Sequence, residues 1–214
     1  MDTMAEYRVP ARAGQGLVEA KGSRFYAHAR PAADEGAVRA ALEAARAEHP
    51  AANHHAYAYR LGPNGAAARY SDDGEPGGTA GRPIMDALRH AGLVDVVVVV
   101  SRIFGGALLG SGGLTRAYGG AAAAAVRDAG VTVMHPHLRL ELSVSYDLLG
   151  AVEQELRRAG LPPIDTVYAA SVTVAVLVPA EDVPALRARL ADVTAGRARI
   201  AVADTPVAAS RGTA

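Results

Sequence analysis

A chain of 214 residues is longer than the usual single domain of roughly 100–150 residues, so its length allows two modest domains. Hydrophobic residues make up 50% of the chain and charged residues 21%, a composition that excludes an intrinsically disordered protein. Basic and acidic residues number 22 each, which excludes a general positive field for a polyanion, and the lack of cysteine excludes disulfides and thiolate chemistry.

Location is predicted from the first ten residues and from the apolar runs. The N-terminus lacks the apolar stretch that a signal peptide requires. The strongly apolar run at 96–100 is far shorter than the roughly 20 residues that cross a bilayer. We therefore expect a cytoplasmic protein with no membrane partner.

The first predicted domain, residues 1–135, mixes strands and helices. Strands are expected at 7–9, 16–20, 24–30 and 54–61, with helices from Asp34, after Pro83 and from Leu114 to Ala129. The segment 94–101 is uniformly apolar, which predicts a central strand covered on both faces.

The second predicted domain, residues 136–205, begins at His135-Pro136-His137, where one strand pattern gives way to another. An alternating run over 138–146 precedes a helix, two strands rich in β-branched residues, a second helix from Asp182 and a closing strand. The order βαββαβ is that of a ferredoxin-like domain. Residues 206–214 are expected to form a tail, and the whole chain is assigned to the α+β class.

An acidic, glycine-rich loop follows Tyr70 and ends at Pro83. Its carboxylates Asp72, Asp73 and Glu75 could ligate a hard cation or share a proton for acid/base chemistry. Alternatively they cap backbone N–H groups of a turn and the following helix, or present a partner surface together with Thr79 and Arg82.

A second glycine-rich segment, 105–113, connects the apolar strand to a helix. Backbone N–H groups and a helix N-terminus at such a connection can face an anion. Arg102 and Arg116 flank the segment and could clamp a phosphate; alternatively the glycines serve close packing and the arginines pair with the loop carboxylates. The glycines proposed to take part are Gly105, Gly106, Gly110, Gly112 and Gly113.

Adjacent histidines, His54 and His55, lie in a predicted strand and must point to opposite faces, so the pair cannot chelate one metal by itself. We expect one histidine to support the acidic loop. Lys21, Arg24 and His28 are candidates for a small basic edge. The sequence contains neither a Gly-x-Ser-x-Gly elbow nor a His-Glu-x-x-His pair, which counts against hydrolysis.

Several long motifs occur in order across the first domain and together resemble the YigZ/IMPACT family. They are Lys21-Gly-Ser-Arg-Phe25, His54 with Ala58-Tyr59, Ser71-Asp-Asp-Gly-Glu-Pro76, Gly78-Thr-Ala-Gly-Arg-Pro83, Arg102 with Phe104-Gly-Gly106, and Gly112-Gly-Leu-Thr-Arg-Ala-Tyr118. The resemblance implies an N-terminal α/β sandwich of the ribosomal protein S5 domain 2 type. It also implies a C-terminal domain similar to one in the ribosomal translocase. Because eukaryotic relatives are regarded as regulators of translation, the resemblance further implies a role connected with translation.

Some positions depart from the family pattern. His55 and Ala56 stand where the family often has Asn-Cys, Ile103 stands in place of tyrosine, and Leu108 stands in place of lysine. Loss of that lysine removes a positive charge from the proposed anion loop.

We expect a non-catalytic, translation-associated regulatory protein that binds RNA, the ribosome or a translation factor and uses no cofactor or metal. Lys21, Arg82, Arg102 and Arg116 would supply its positive contacts. The alternative is a metal-dependent hydrolase or phosphate-binding enzyme that uses the loop of Asp72, Asp73 and Glu75.

Overall fold

The computed structural model describes residues 6–202 and 207–210, which fall into two units. Unit 2 comprises residues 7–133, and unit 1 comprises residue 6 together with the described residues from 134 onward. Each unit contains its own sheet and helices, so the predicted α+β class is confirmed. None of the described helices is both long enough and apolar enough to cross a membrane.

Unit 2 contains six strands and three helices. In chain order they are β1 (Tyr7–Pro10), β2 (Gly14–Ala20), β3 (Ser23–Pro31), α1 (Glu35–Glu48), β4 (His54–Leu61), β5 (Ala67–Ser71), α2 (Gly81–Ala91), β6 (Val96–Ile103) and α3 (Gly110–Ala129). Five of the strands form a sheet in the order β2-β3-β6-β4-β5, and every neighbouring pair is antiparallel.

Strand β6 lies at the centre of this sheet, and helices cover both of its faces. Val98 and Val100 belong to the core cluster that α2 and α3 complete, whereas Val97 and Val99 pack with Val38 of α1 and its neighbours. Successive side chains of a strand point to opposite faces, so an unbroken valine run fits a strand with two dry faces. The predicted central strand is confirmed.

Strand β2 and helix α3 approach closely at two glycines. A Cβ atom at Gly14 would lie 2.3 Å from the backbone of Ala125 and Ala129, and one at Gly16 would lie 2.5 Å from the Ala121 carbonyl oxygen. Glycine on the strand therefore faces alanine on the helix, which lets the two backbones pack at short range.

Unit 1 is built mainly from strands β7 to β11 and two helices. They are β7 (Val131–Val144), α4 (Tyr146–Arg158), β8 (Asp165–Tyr168), β9 (Val172–Pro179), a 3-10 turn (Ala180–Asp182), α5 (Val183–Thr194), β10 (Arg199–Val202) and β11 (Val207–Ser210). Strands β10, β7, β9 and β8 pair antiparallel in that order. Leu140, Leu142, Val174 and Val176 pack with Leu156 and Leu186 of the helices, which confirms the ferredoxin-like βαββαβ prediction.

Three details differ from the sequence-based expectations. Strand β7 runs without a break through residues 135–137, where a change from one strand to another was expected. Pairing with β9 begins at His137, so the N–H group that Pro136 lacks is not needed for a hydrogen bond to β9. Strand β5 was not predicted, since an exposed edge strand carries little hydrophobic alternation. Within the expected tail, Val207–Ser210 pairs with β7; residues 206 and 211–214 lie outside the described residues.

Candidate functional site

The acidic loop and the glycine-rich segment meet at one end of the unit 2 sheet. Antiparallel pairing places the end of β6, the start of β3 and the start of β4 side by side: Arg102 is paired with both Phe25 and His54. The acidic loop follows β5, which pairs with β4 and therefore ends at the same edge. Strand pairing thus collects segments that lie far apart in the sequence.

A buried ion pair joins the acidic loop to the end of β6. The Arg102 guanidinium donates from Nη1 to Glu75 Oε1 at 2.8 Å, and the Tyr118 hydroxyl donates to the same oxygen at 2.6 Å. The side chains of Arg102 and Glu75 are only 8% and 3% exposed. Burial, followed by the hydrogen bond to the Glu75 carboxylate, raises the pKa of Tyr118, so this hydroxyl stays protonated and acts as a donor.

Aromatic rings surround the buried guanidinium. The Arg102 Cζ atom lies 5.5 Å from the ring centroid of Phe25 and 5.4 Å from that of Phe104, distances at which a cation interacts with a π face. Nη2 lies 3.5 Å from Ser23 Oγ, and Nε has no hydrogen-bond partner among the described residues. Arg102 thus pairs with a loop carboxylate, which fits the pairing alternative, and its role as a phosphate clamp stays a prediction.

Asp72 binds the backbone at the start of α2. Its Oδ1 accepts hydrogen bonds from the N–H groups of Ala80 and Gly81 at 3.0 and 2.8 Å, and its Oδ2 accepts from Gly78 at 2.8 Å. Ala80, the residue before the helix, has no side chain that could do this. Burial raises the pKa of Asp72, but these three bonds outweigh it and hold the pKa below its ordinary value.

Asp73 joins the acidic loop to the start of β4. Its backbone is in the left-handed region at φ 47°, and its Oδ2 accepts from the His55 N–H at 2.7 Å. The His54 ring nitrogen Nδ1 lies 2.7 Å from the Asp73 carbonyl oxygen, whereas Nδ1 of His55 contacts Ser101 Oγ at 2.8 Å. The two histidines thus make separate contacts, and His54 contacts the acidic loop.

The three loop carboxylates each engage a different set of protein donors: Asp72 the α2 terminus, Asp73 the β4 backbone, and Glu75 the Arg102–Tyr118 pair. Thr79 is also used internally, since its hydroxyl donates to the Pro76 carbonyl at 2.6 Å. This arrangement fits the capping alternative; it gives the loop a fixed shape and leaves these carboxylates committed to protein contacts.

The glycine-rich segment is half loop and half helix. Helix α3 begins at Gly110, four residues before the expected start at Leu114, and its first turn includes Gly112 and Gly113. The helix begins there although glycine has a low helix propensity. Gly105 remains in the loop and packs so closely on Gly22 that an added Cβ would meet its carbonyl carbon at 1.9 Å. Gly106 has φ 87°, a backbone conformation that favours glycine.

The N–H group of Gly105, which was proposed to face an anion, is occupied, as is that of the preceding residue, Phe104. The Phe104 N–H donates to Asn53 Oδ1 at 3.0 Å, and the Gly105 N–H donates to Ser23 Oγ at 3.1 Å. These bonds hold the segment against the start of β3 and the residue before β4, so its shape is set before any ligand arrives.

The outer surface of this loop end is partly apolar and partly basic. Leu108 is 83% exposed and Phe104 is 43% exposed. Lys21 is exposed and donates from Nζ to the Leu108 carbonyl oxygen at 3.3 Å, which places its charge beside the apolar side chains. Arg116 is exposed on α3, near Gly112. These residues, Lys21, Phe104, Leu108 and Arg116, are called the loop surface below.

The other predicted basic residues are placed differently. Arg82 is exposed in the first turn of α2, and Arg24 is exposed on β3, where it donates to the Tyr26 hydroxyl at 3.3 Å. His28 lies on the same face of β3 as Arg24, four residues away, but it is only 7% exposed and so does not belong to an exposed basic edge.

Sequence reasoning missed three residues that hold the loops together: Ser23, Asn53 and Tyr118. Tyr118 gave the best signal, since it lies at helical spacing from Leu114 and Ala121 on the buried face of α3. Ser23 and Asn53 are small polar residues next to turns. Such residues are solvent-exposed as often as they form internal hydrogen bonds, so the sequence pattern did not indicate their role.

Comparisons with known proteins agree with this architecture. The model of the Impact N-terminal domain matches residues 21–126, and that of a domain of unknown function, DUF1949, matches residues 142–197. Both matched segments lie within the described residues, one in each unit.

Full-length relatives are found in several bacteria. An IMPACT family member in the pol 5' region of Thermus thermophilus is 45% identical over 82% of this chain and 95% of that protein. IMPACT family member YigZ of Escherichia coli is 36% identical over 90% of this chain and 96% of its own length. A crystal structure of a hypothetical protein superposes with a TM-score of 0.69 at 35% identity, covering 94% of this chain and 100% of that one. Identity at this level over nearly the whole length shows that the chain belongs to the IMPACT family.

Proposed function

We propose that this protein is a non-catalytic regulator of translation that binds RNA, the ribosome or a translation factor through the loop surface. The observation that carries the proposal is the buried Glu75–Arg102–Tyr118 contact, which fixes the acidic loop against β6 and α3, the two elements that the glycine-rich segment connects. A preformed surface binds a partner without an additional cost of ordering its loops.

The chemistry of the loop surface fits a macromolecular partner. Leu108 and Phe104 are exposed at a fixed loop, Lys21 donates to the Leu108 carbonyl oxygen, and Arg116 is exposed on the helix that follows. Apolar anchors with adjacent basic groups are typical of protein and ribonucleoprotein contacts, in which burial supplies affinity and charge supplies orientation. The loop carboxylates, which an enzyme would need, are engaged in structural bonds.

Unit 1 offers a second contact area. One face of its sheet packs on α4 and α5, and the opposite face carries the polar residues Arg139, Glu141 and Thr173. We assign this open sheet face a supporting role in the same complex.

Sedimentation of cell lysate at low salt tests the proposal. The wild-type protein is expected in ribosomal or RNA-bound fractions, and ribonuclease treatment separates an RNA partner from a protein partner. Leu108→Asp or Arg116→Glu should weaken this association about tenfold, the effect of losing a contact worth about 1.4 kcal/mol. Arg39→Glu is the matched control, because Arg39 is also an exposed helical arginine of unit 2 but lies on α1.

Two results would overturn the proposal. One is complete absence of the wild-type protein from ribosomal and RNA-bound fractions. The other is equal retention of Leu108→Asp, Arg116→Glu and Arg39→Glu, which would show that the association does not use the loop surface.

A further inference from the structure

A cluster of two histidines and a glutamate lies on the face of the unit 2 sheet that α1 covers. His28 pairs with Val99 of β6, whose side chain packs with α1, so His28 shares that face. Glu48 is the last residue of α1 and His49 is its C-terminal cap. The end of the helix therefore delivers two side chains to a histidine that the sheet holds in place.

The three ligand atoms are spaced for one metal ion. Nε2 of His28 lies 3.1 Å from Nε2 of His49 and 3.7 Å from Oε2 of Glu48. Each of the three residues offers one ligand atom that lies within 4.8 Å of those of the other two. Two ligands at about 2.0–2.1 Å from a tetrahedral zinc ion are about 3.3–3.4 Å apart, so the separations of His28 Nε2 from the other two ligand atoms, 3.1 and 3.7 Å, need to change by only a few tenths of an ångström.

We propose that His28, His49 and Glu48 bind a Zn²⁺ ion and leave its fourth position open to water or a small anion. Two imidazoles and one carboxylate are ligands that zinc prefers, and three protein ligands with one open position form an accessible site. Glu48 is 44% exposed, which gives the ion a path from solvent, while the His28 side chain is only 8% exposed.

A stacked tyrosine ring and the tautomers of the two imidazoles determine how the histidines can face a cation. The Tyr26 ring stacks on His49 with centroids 4.4 Å apart and fixes the plane of that imidazole. When no metal is bound, an Nε2–H of one imidazole donates to Nε2 of the other ring; on zinc binding the donor ring would adopt its Nδ1–H tautomer, so that both Nε2 lone pairs face the ion.

Zinc titration of the tag-free protein against a chromophoric chelator tests the site. We expect one tight site per chain, and Co²⁺ in its place should give the visible absorption of a tetrahedral complex. His49→Ala and Glu48→Gln should each weaken zinc binding by more than the roughly 10- to 100-fold that loss of an outer-sphere partner costs. His90→Ala is the matched control, since His90 is an exposed histidine on α2 that bonds only to its own helix among the contacts described.

Folding of each variant is checked first by circular dichroism without zinc. Glu48→Gln keeps the shape of the side chain, so it reports on ligation even if His49→Ala is less stable. Saturating zinc should raise the melting temperature of the wild-type protein and of His90→Ala but not that of the ligand variants. Absence of a tight site, or equal zinc affinity in wild-type, Glu48→Gln and His49→Ala, would overturn the proposal.

Discussion

Two arginines of unit 2 show how burial changes the contribution of an arginine–carboxylate ion pair to stability. Arg102 pairs with Glu75 at 2.8 Å and Arg12 pairs with Asp128 at 2.9 Å. The first pair is 8% and 3% exposed and the second 64% and 44%. Water solvates the exposed pair in the folded and the unfolded protein, whereas the buried pair depends on its partner groups.

Removal of one carboxylate from each pair should therefore have unequal effects. Glu75→Ala leaves an uncompensated buried guanidinium and is expected to cost about 3–5 kcal/mol of unfolding free energy. Asp128→Ala should cost about 1 kcal/mol or less. Urea denaturation of both variants measures the difference. Equal losses would show that the Glu75–Arg102 pair is not buried in solution.

Asp72 links the stability of unit 2 to pH. Its folded pKa lies below the ordinary value of 3.8, so its contribution is present above that value and is lost as pH falls through the folded pKa. Asp72→Asn cannot be protonated, so its unfolding free energy should change less below about pH 4 than that of the wild-type protein. Denaturation at several acidic pH values tests this, and Glu43→Gln on exposed α1 surface serves as the control. Identical pH profiles for Asp72→Asn and wild type would contradict the capping role.

At the scale of elements, the contact of β2 with α3 depends on glycine. A Cβ atom at Gly16 would come within 2.5 Å of the Ala121 carbonyl oxygen, and backbone atoms cannot move aside as a flexible side chain can. Strand and helix would have to separate, which also loosens the alanines packed beneath them.

Gly16→Ala is therefore expected to destabilise the protein by about 1–3 kcal/mol, the usual cost of overpacking. Gly77→Ala is the matched control, because nothing lies within 4 Å of its added Cβ, and its effect should stay within about 0.5 kcal/mol. Thermal or urea denaturation compares the two. A neutral Gly16→Ala variant would mean that β2 and α3 are not in close contact.

Strongly periodic elements were predictable, and elements whose stability comes from their neighbours were not. The alternation in β7 and the apolar run in β6 each identify a strand, because one or two faces must be buried. The start of α3 at Gly110 opposes the helix propensity of glycine, and β5 has mostly exposed side chains. Both segments take their structure from tertiary contacts.

At the scale of the whole molecule, each unit has a core of its own. Unit 2 residues form two clusters on the two faces of β6, and unit 1 residues form a third beneath α4 and α5. The Impact N-terminal match lies in one unit and the DUF1949 match in the other, so family organisation and packing divide the chain in the same way.

The sequence by itself determined the class of both units, the order of most elements and the family, because periodicity and ordered motifs are properties of neighbouring residues. It left open which donor each carboxylate of the acidic loop would bind. Glu75 lies 27 positions from Arg102 and 43 from Tyr118, and His28 lies 21 positions from His49. Only the tertiary structure decided these contacts, since strand pairing and helix packing bring together residues whose separation in the chain carries no signal of their proximity.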